Sequence, residues 1–152
     1  FGRYVSAFTS GVISAESVIQ IRLGNDYAQK VESGQELEDG IVNISPSVKG
    51  KAYWKDARCI EFRSENQLKS GAIYKVNVKL SKLMEVEPKY NNLKFQFQTI
   101  KQSFALVGEG LQSYDKTDML YQKYKGYITT ADVIFDDENF YHKIRNKKIF
   151  NL

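Results

Sequence analysis

The stretch Ala72-Ile73-Tyr74-Lys75-Val76-Asn77-Val78-Lys79-Leu80 decides the fold. Successive side chains of a β-strand point to opposite faces, so Ala72, Tyr74, Val76, Val78 and Leu80 share one side while Lys75, Asn77 and Lys79 take the other. A helix would scatter those apolar residues around its circumference. Leu93-Lys94-Phe95-Gln96-Phe97-Gln98-Thr99 repeats the pattern, with Leu93, Phe95, Phe97 and Thr99 opposite Lys94, Gln96 and Gln98. One dry face and one wet face suits antiparallel sheets packed face to face, whereas strands of a parallel sheet, covered on both sides, read as continuous apolar runs.

Two shorter segments agree. Ile19-Gln20-Ile21-Arg22-Leu23 is apolar at its odd positions, and Cys59-Ile60-Glu61-Phe62-Arg63 sends Ile60 and Phe62 inward and leaves Cys59 on the opposite face. Turn dipeptides separate the strands: Ser10-Gly11, Ser33-Gly34, Asp39-Gly40, Ser45-Pro46, Lys49-Gly50, Ser70-Gly71 and Asn91-Asn92. Their spacing is that of a β-sandwich. Ile19, Ile21, Trp54, Ile60, Phe62, Tyr74, Val76, Val78, Phe95 and Phe97 are the expected core, with Trp54 as a plug between sheets. Gly24 to Gly40 reads as a long connection with at most a short strand, and Lys82 to Asn92 as a second.

The pattern changes after Thr99. Ser103 to Val107 begins a strand, Gly108-Glu109-Gly110 interrupts it, and Met119 to Thr129 supplies another run broken by Gly126. Asp136 or Asp137 is placed to cap a short helix that sets Phe140 and Ile144 on one side. About fifty residues do not close a sandwich of roughly 100. The expected division is therefore a complete domain over 1–100 and an incomplete second β-rich domain over 101–152. The chain begins at Phe1 rather than Met and reads as an excised fragment, whose cut second domain would leave strand edges open to self-association.

Composition bounds the function. With 152 residues and 42% hydrophobic content the chain buries a real core, and its apolar runs are far shorter than the roughly 20 residues that span a bilayer. Aromatic content of 13%, with ten Tyr and nine Phe, favours pleated surfaces. The net charge of +4 is scattered, only Lys143, Arg145, Lys147 and Lys148 approaching a cluster, so no nucleic-acid partner is expected. One Cys and one His exclude an internal disulfide and a Cys/His zinc site.

No residue set converges on catalysis, a cofactor or a metal. Gly108-Glu109-Gly110-Leu111-Gln112-Ser113, with Asp132 about twenty residues on, mimics a dinucleotide fingerprint. Ser113 replaces its third glycine and no amphipathic helix begins at Tyr114, so a glycine bulge is expected. His142 has no nucleophile near it in sequence, and Asp136-Asp137-Glu138 lacks the alternating spacing of a calcium loop. Cys59 lies near Arg58 and Arg63, whose charge would lower a thiol pKa, but an incidental thiol is the simpler reading. Tyr53, Tyr74, Tyr90, Tyr121, Tyr124 and Tyr127 with Trp54 offer material for a sugar-stacking platform, and Asn43-Ile44-Ser45 matches a glycosylation triplet.

The ordered set Ser10-Gly11-Val12-Ile13, Ile19 to Leu23, Ile44-Ser45-Pro46-Ser47-Val48-Lys49-Gly50, Ala52-Tyr53-Trp54, Ile60 to Arg63, Leu68 to Val76 and Phe95 to Thr99 resembles the Ig-like domain at the N-terminus of bacterial alpha-2-macroglobulin family proteins. Residues 101–152 resemble the start of the next macroglobulin-like domain, best at Gly126-Tyr127-Ile128 and Ala131-Asp132. The resemblance implies a large extracytoplasmic protein, in the periplasm or cell envelope and often lipid-anchored, that acts as an endopeptidase inhibitor by trapping proteases. The family's thioester sits in Cys-Gly-Glu-Gln, whereas Cys59 stands in Cys-Ile-Glu-Phe.

The resulting expectation is an all-β chain: an Ig-like antiparallel sandwich, then a partial macroglobulin-like domain with a short helix. It would serve as a non-catalytic structural module, neither an enzyme nor a cofactor or metal protein, with neighbouring macroglobulin domains of the parent as partners and proteases reached through that parent. The alternative is a glycan-binding or adhesion module using exposed Tyr53, Tyr90 and Tyr121.

Overall fold

The computed structural model describes residues 2–113 and 122–134, and it is all-β. The chain divides into two compact units, Phe1–Ser103 and Phe104–Leu152.

The first unit is a two-sheet sandwich of Ig-like form. One sheet has the order β1 (Val5–Phe8), β3 (Ile19–Leu23), β6 (Cys59–Ser64), β5 (Gly50–Asp56); the other runs β2 (Gly11–Ile13), β8 (Asn92–Thr99), β7 (Ile73–Lys79), β4 (Val42–Ser45). Pairing is antiparallel except between β2 and β8, where Gly11, Val12 and Ile13 run parallel to Phe97, Gln98 and Thr99. The register Tyr74↔Phe97, Val76↔Phe95, Val78↔Leu93 puts three inward pairs side by side. Burial alternates without a break along β8.

All ten expected core residues are buried in one cluster, with Ile21, Ile60 and Val78 fully enclosed. The long connection after β3 adds Leu37 and Ile41 to that cluster, and Glu36 makes one bridge to Tyr53. Tyr27 stacks on Trp54 with ring centroids 4.6 Å apart. The strand expected over Ala72–Leu80 ends at Lys79; fully buried Leu80 instead opens a 3-10 turn, Leu80–Lys82. A second such turn, Pro88–Tyr90, lies in the connection before β8.

The one buried hydroxyl on β8 is fully used. Thr99 Oγ1 donates to the Lys69 carbonyl (2.6 Å) and accepts from the Ala72 amide (2.9 Å), pinning the Ser70-Gly71 turn to the strand end. Gly71 there has φ of 67°, a conformation costly for residues with a Cβ. The phenol of buried Tyr74 likewise accepts from the Lys69 amide at 2.9 Å.

In the second unit β9 (Phe104–Ser113) pairs antiparallel with β10 (Gln122–Thr130). Gly108-Glu109-Gly110 holds the expected glycine bulge: Lys125 lies opposite Gly110 and Gly126 opposite Gly108, which leaves Glu109 unopposed, and β9 continues through it rather than ending there. Gly126 is required because a Cβ would stand 2.8 Å from the Val107 carbonyl oxygen. The helix expected after Asp136 lies outside the described residues.

Thr99→Val keeps the shape and removes the hydroxyl. It is expected to lower unfolding free energy by about 1–3 kcal/mol, because the Ala72 amide loses its side-chain acceptor and the Lys69 carbonyl its donor. Urea denaturation checks this, with the midpoint falling and the slope unchanged.

Candidate functional site

The two outward faces of the sandwich differ in how their charges are used. On the β1-β3-β6-β5 face, Glu61 is buried although its position points away from the core, since Gln20 and Tyr53 lie directly opposite it on the flanking strands. Lys55 Nζ sits 2.9 Å from its Oε1, Arg63 Nη2 3.1 Å from its Oε2, and Gln20 Nε2 donates to Oε1 at 2.8 Å. Arg63 also lies over the Tyr53 ring, 5.3 Å from its centroid. The hydrogen bond from Lys55 is the largest of the influences holding the Glu61 carboxyl below its usual pKa, against the opposing effect of burial. Lys51 pairs with Glu36 at 2.6 Å. This face pairs most of its cations: Lys51, Lys55 and Arg63 each meet a carboxylate, although two of them share Glu61 and outward Arg22 has no ion-pair partner among the described residues.

The β2-β8-β7-β4 face differs. Its outward positions are Asn43 and Ser45 on β4, Ile73, Lys75, Asn77 and Lys79 on β7, and Asn92, Lys94, Gln96 and Gln98 on β8, with no acidic residue among them. Asn43 lies opposite Asn77, which lies opposite Lys94; the next row is Ser45, Lys75, Gln96. Among the described residues Lys75, Lys79 and Lys94 have no salt-bridge partner, whereas the other face holds three ion pairs. A groove of about 460 Å³ crosses these rows, lined by Asn43, Lys75, Asn77, Lys94 and Gln96 over the backbone of Ile44, Val76 and Phe95. Asn77 Oδ1 is buried there without a hydrogen-bond partner, and Asn43 Nδ2 donates to the Gly40 carbonyl at 2.9 Å. Unpaired buried acceptors cost about 1–3 kcal/mol and are uncommon in folded proteins, so this one marks a place where a donor is wanting.

The residues singled out from sequence do not assemble. Tyr74 is in the core, Tyr53 lies under Arg63, and Tyr90 packs against Tyr4 with centroids 5.5 Å apart. Tyr127 is exposed on β10 in the other unit, and the side chains of Tyr121 and Tyr124 lie outside the described residues. The aromatic platform held as an alternative is therefore not assembled by Tyr53, Tyr74 and Tyr90, whose rings meet Arg63, the core and Tyr4. Cys59 stands on the face opposite Ile60 and Phe62 as expected, opposite Arg22 and Asp56, but it is covered there and only 6% exposed. The β5–β6 bulge pairs Cys59 with Asp56, and burial first, then that carboxylate, push the thiol pKa up rather than down. Gly108–Gly110 lies within a paired strand, not a phosphate loop. His142 and Asp136-Asp137-Glu138 lie outside the described residues, among which no group of three or more His, Cys, Asp or Glu is placed to hold a metal.

No family model matches the chain, and no curated protein matches it. Solved structures do. L,D-transpeptidase 3 from Mycobacterium tuberculosis aligns over 71% of this chain and 40% of its own at 15% identity, TM-score 0.44. An L,D-transpeptidase from M. tuberculosis H37Rv aligns over 71% and 43% at 14% identity, TM-score 0.45. The chain thus spans less than half the length of either. The alpha-2-macroglobulin assignment is corrected: no family model matches the chain, and the solved structures found to be similar are named L,D-transpeptidases. The expected endopeptidase-inhibitor role as a non-catalytic, protease-trapping module rested on that assignment and is withdrawn with it, as is the expectation of a non-enzyme. The physical reason is visible in the motifs: Ser70-Gly71 meets the demand of one turn and Trp54 fills a core, so they specify a sandwich and not a family. No helix among the described residues is long and apolar enough to cross a membrane.

Two outcomes are expected. Since the Glu61 pKa is depressed on folding, its stabilising contribution is complete above the ordinary carboxylate range and is lost as pH falls through the lower folded value. Glu61→Gln should flatten that acid-side decline in a pH series of denaturation midpoints. Cys59 should react with a disulfide reagent near pH 7 only at the rate of unfolding, while the urea-unfolded chain reacts at once.

Proposed function

We propose that residues 1–103 are a ligand-recognition domain of an extracytoplasmic protein, in the periplasm or cell envelope, and that it grips an anionic partner with the β2-β8-β7-β4 face. One observation carries the reading: three lysines on this face lack carboxylate partners among the described residues, and two of them, Lys75 and Lys94, line a groove that holds an orphaned acceptor, while Lys51, Lys55 and Arg63 on the opposite face are paired. Exposed cations on a face free of acids raise the local concentration of anions and speed their encounter. Amides at Asn43, Asn77 and Gln96 both donate and accept, so they orient a polar ligand once it arrives.

The test uses the 152-residue chain and two polyanions, poly-L-glutamate and a polyuronate. At least one should bind, more weakly as salt rises, and the double substitution Lys75→Gln with Lys94→Gln should weaken it about tenfold. Lys51→Gln, on the other face, should leave binding unchanged. Equal binding by the double variant, or no binding of either polymer, contradicts the proposal.

A further inference from the structure

The spacing of cations on this face carries more information than their sign. Rows of outward side chains run across β7 and β8: Ile73 with Gln98, Lys75 with Gln96, Asn77 with Lys94, and Lys79 with Asn92. A lysine therefore recurs in three successive outward rows, at Lys75, Lys94 and Lys79, alternating between the two strands. Each row lies two residues beyond the last, which is about 7 Å along the strand direction. The row before Lys75 is apolar instead: Ile73 is 54% exposed, and Val12, opposite Gln98 on β2, is 65% exposed.

An extended polypeptide has the same period. Its same-side side chains recur at every second residue, again about 7 Å apart, so acidic residues at alternate positions fall into step with the three lysines. Its backbone also offers N–H donors to the outward side-chain amides of Asn92, Gln96 and Gln98 on β8. A polyphosphate or other purely accepting anion brings the charge without the donor. The face carries no outward aromatic ring on β4, β7 or β8, so it offers nothing for a pyranose to stack on.

Resting on the reading of this face as the binding surface, the geometry points to a specific occupant: an extended acidic peptide segment of a partner protein, with an apolar residue followed or preceded by three Asp or Glu at alternate positions. It lies along β7 and β8, its carboxylates on Lys75, Lys94 and Lys79 and its apolar end against Ile73 and Val12. Lys94 is the central contact because its row also contains the Asn77–Asn43 amide pair.

The experiment measures fluorescence anisotropy of labelled peptides on the 152-residue chain. The probes are Leu-Thr-Glu-Thr-Glu-Thr-Glu, its reversed sequence, and a peptide of the same composition with its three Glu contiguous at one end. One of the two alternating peptides should bind at least about fivefold more tightly than the blocked one, and Lys94→Gln should weaken it about threefold to fivefold, the range for a single exposed ion pair. Lys94→Arg, which keeps the charge, should restore most of the affinity. Alternating and blocked peptides binding equally, or a polyuronate binding more tightly than either alternating peptide, overturns the peptide register while leaving the anionic face standing. If neither peptide nor polyuronate binds, the reading of the face itself fails as well.

Discussion

The pairing of β7 with β8 in the register Val76↔Phe95 is the constraint on which the rest depends. Side chains alternate with a period of two, so a slip of one residue would turn Val76, Val78, Phe95 and Phe97 outward and bury lysines. Burying an unpaired ammonium is so costly that the slipped register has no competing structure. The core thus selects the register, and the register in turn fixes which residues face solvent. Lys75, Asn77, Lys79 and Lys94 stand together outside because Tyr74, Val76, Val78 and Phe95 stand together inside.

The opposite sheet shows how differently the same architecture treats charge. Glu61 is held on an outward position by Lys55, Arg63 and Gln20, a network whose cations are half-exposed and whose carboxylate is covered. Such a network anchors the middle of the sheet by giving two cations one shared carboxylate. No equivalent carboxylate stands on the β7–β8 side, and the absence follows from composition at a handful of strand positions rather than from total charge. The chain's overall +4 is modest; what distinguishes the β7–β8 side is that its three lysines have no carboxylate partners among the described residues.

Much of this was legible in the sequence, and the limits have physical causes. β3, β6, β7 and β8 announce themselves because each has one face wholly inside the sandwich. β1 and β2 do not: along Val5–Phe8 only Val5 is buried, and Gly11–Ile13 has no buried residue, so edge strands leave no alternation to read. Burial of Cys59 and Glu61 comes from neighbours on adjacent strands and a bulge, neither of which a single strand's pattern records. For the candidate site, the outward lysines were readable one strand at a time, but the rows that bring Asn43, Asn77 and Lys94 together exist only once the register is known. The macroglobulin resemblance went astray for a related reason: turns and core plugs recur wherever sandwiches need them.

The central claim is that one face of this sandwich, and not the other, is the binding surface. Amide shift mapping by NMR on the 152-residue chain during titration with poly-L-glutamate tests it most directly. The account predicts that perturbations concentrate at Asn43, Lys75, Asn77 and Lys94. Perturbations centred on Lys51, Tyr53 and Arg63, or spread evenly over both faces, would contradict it.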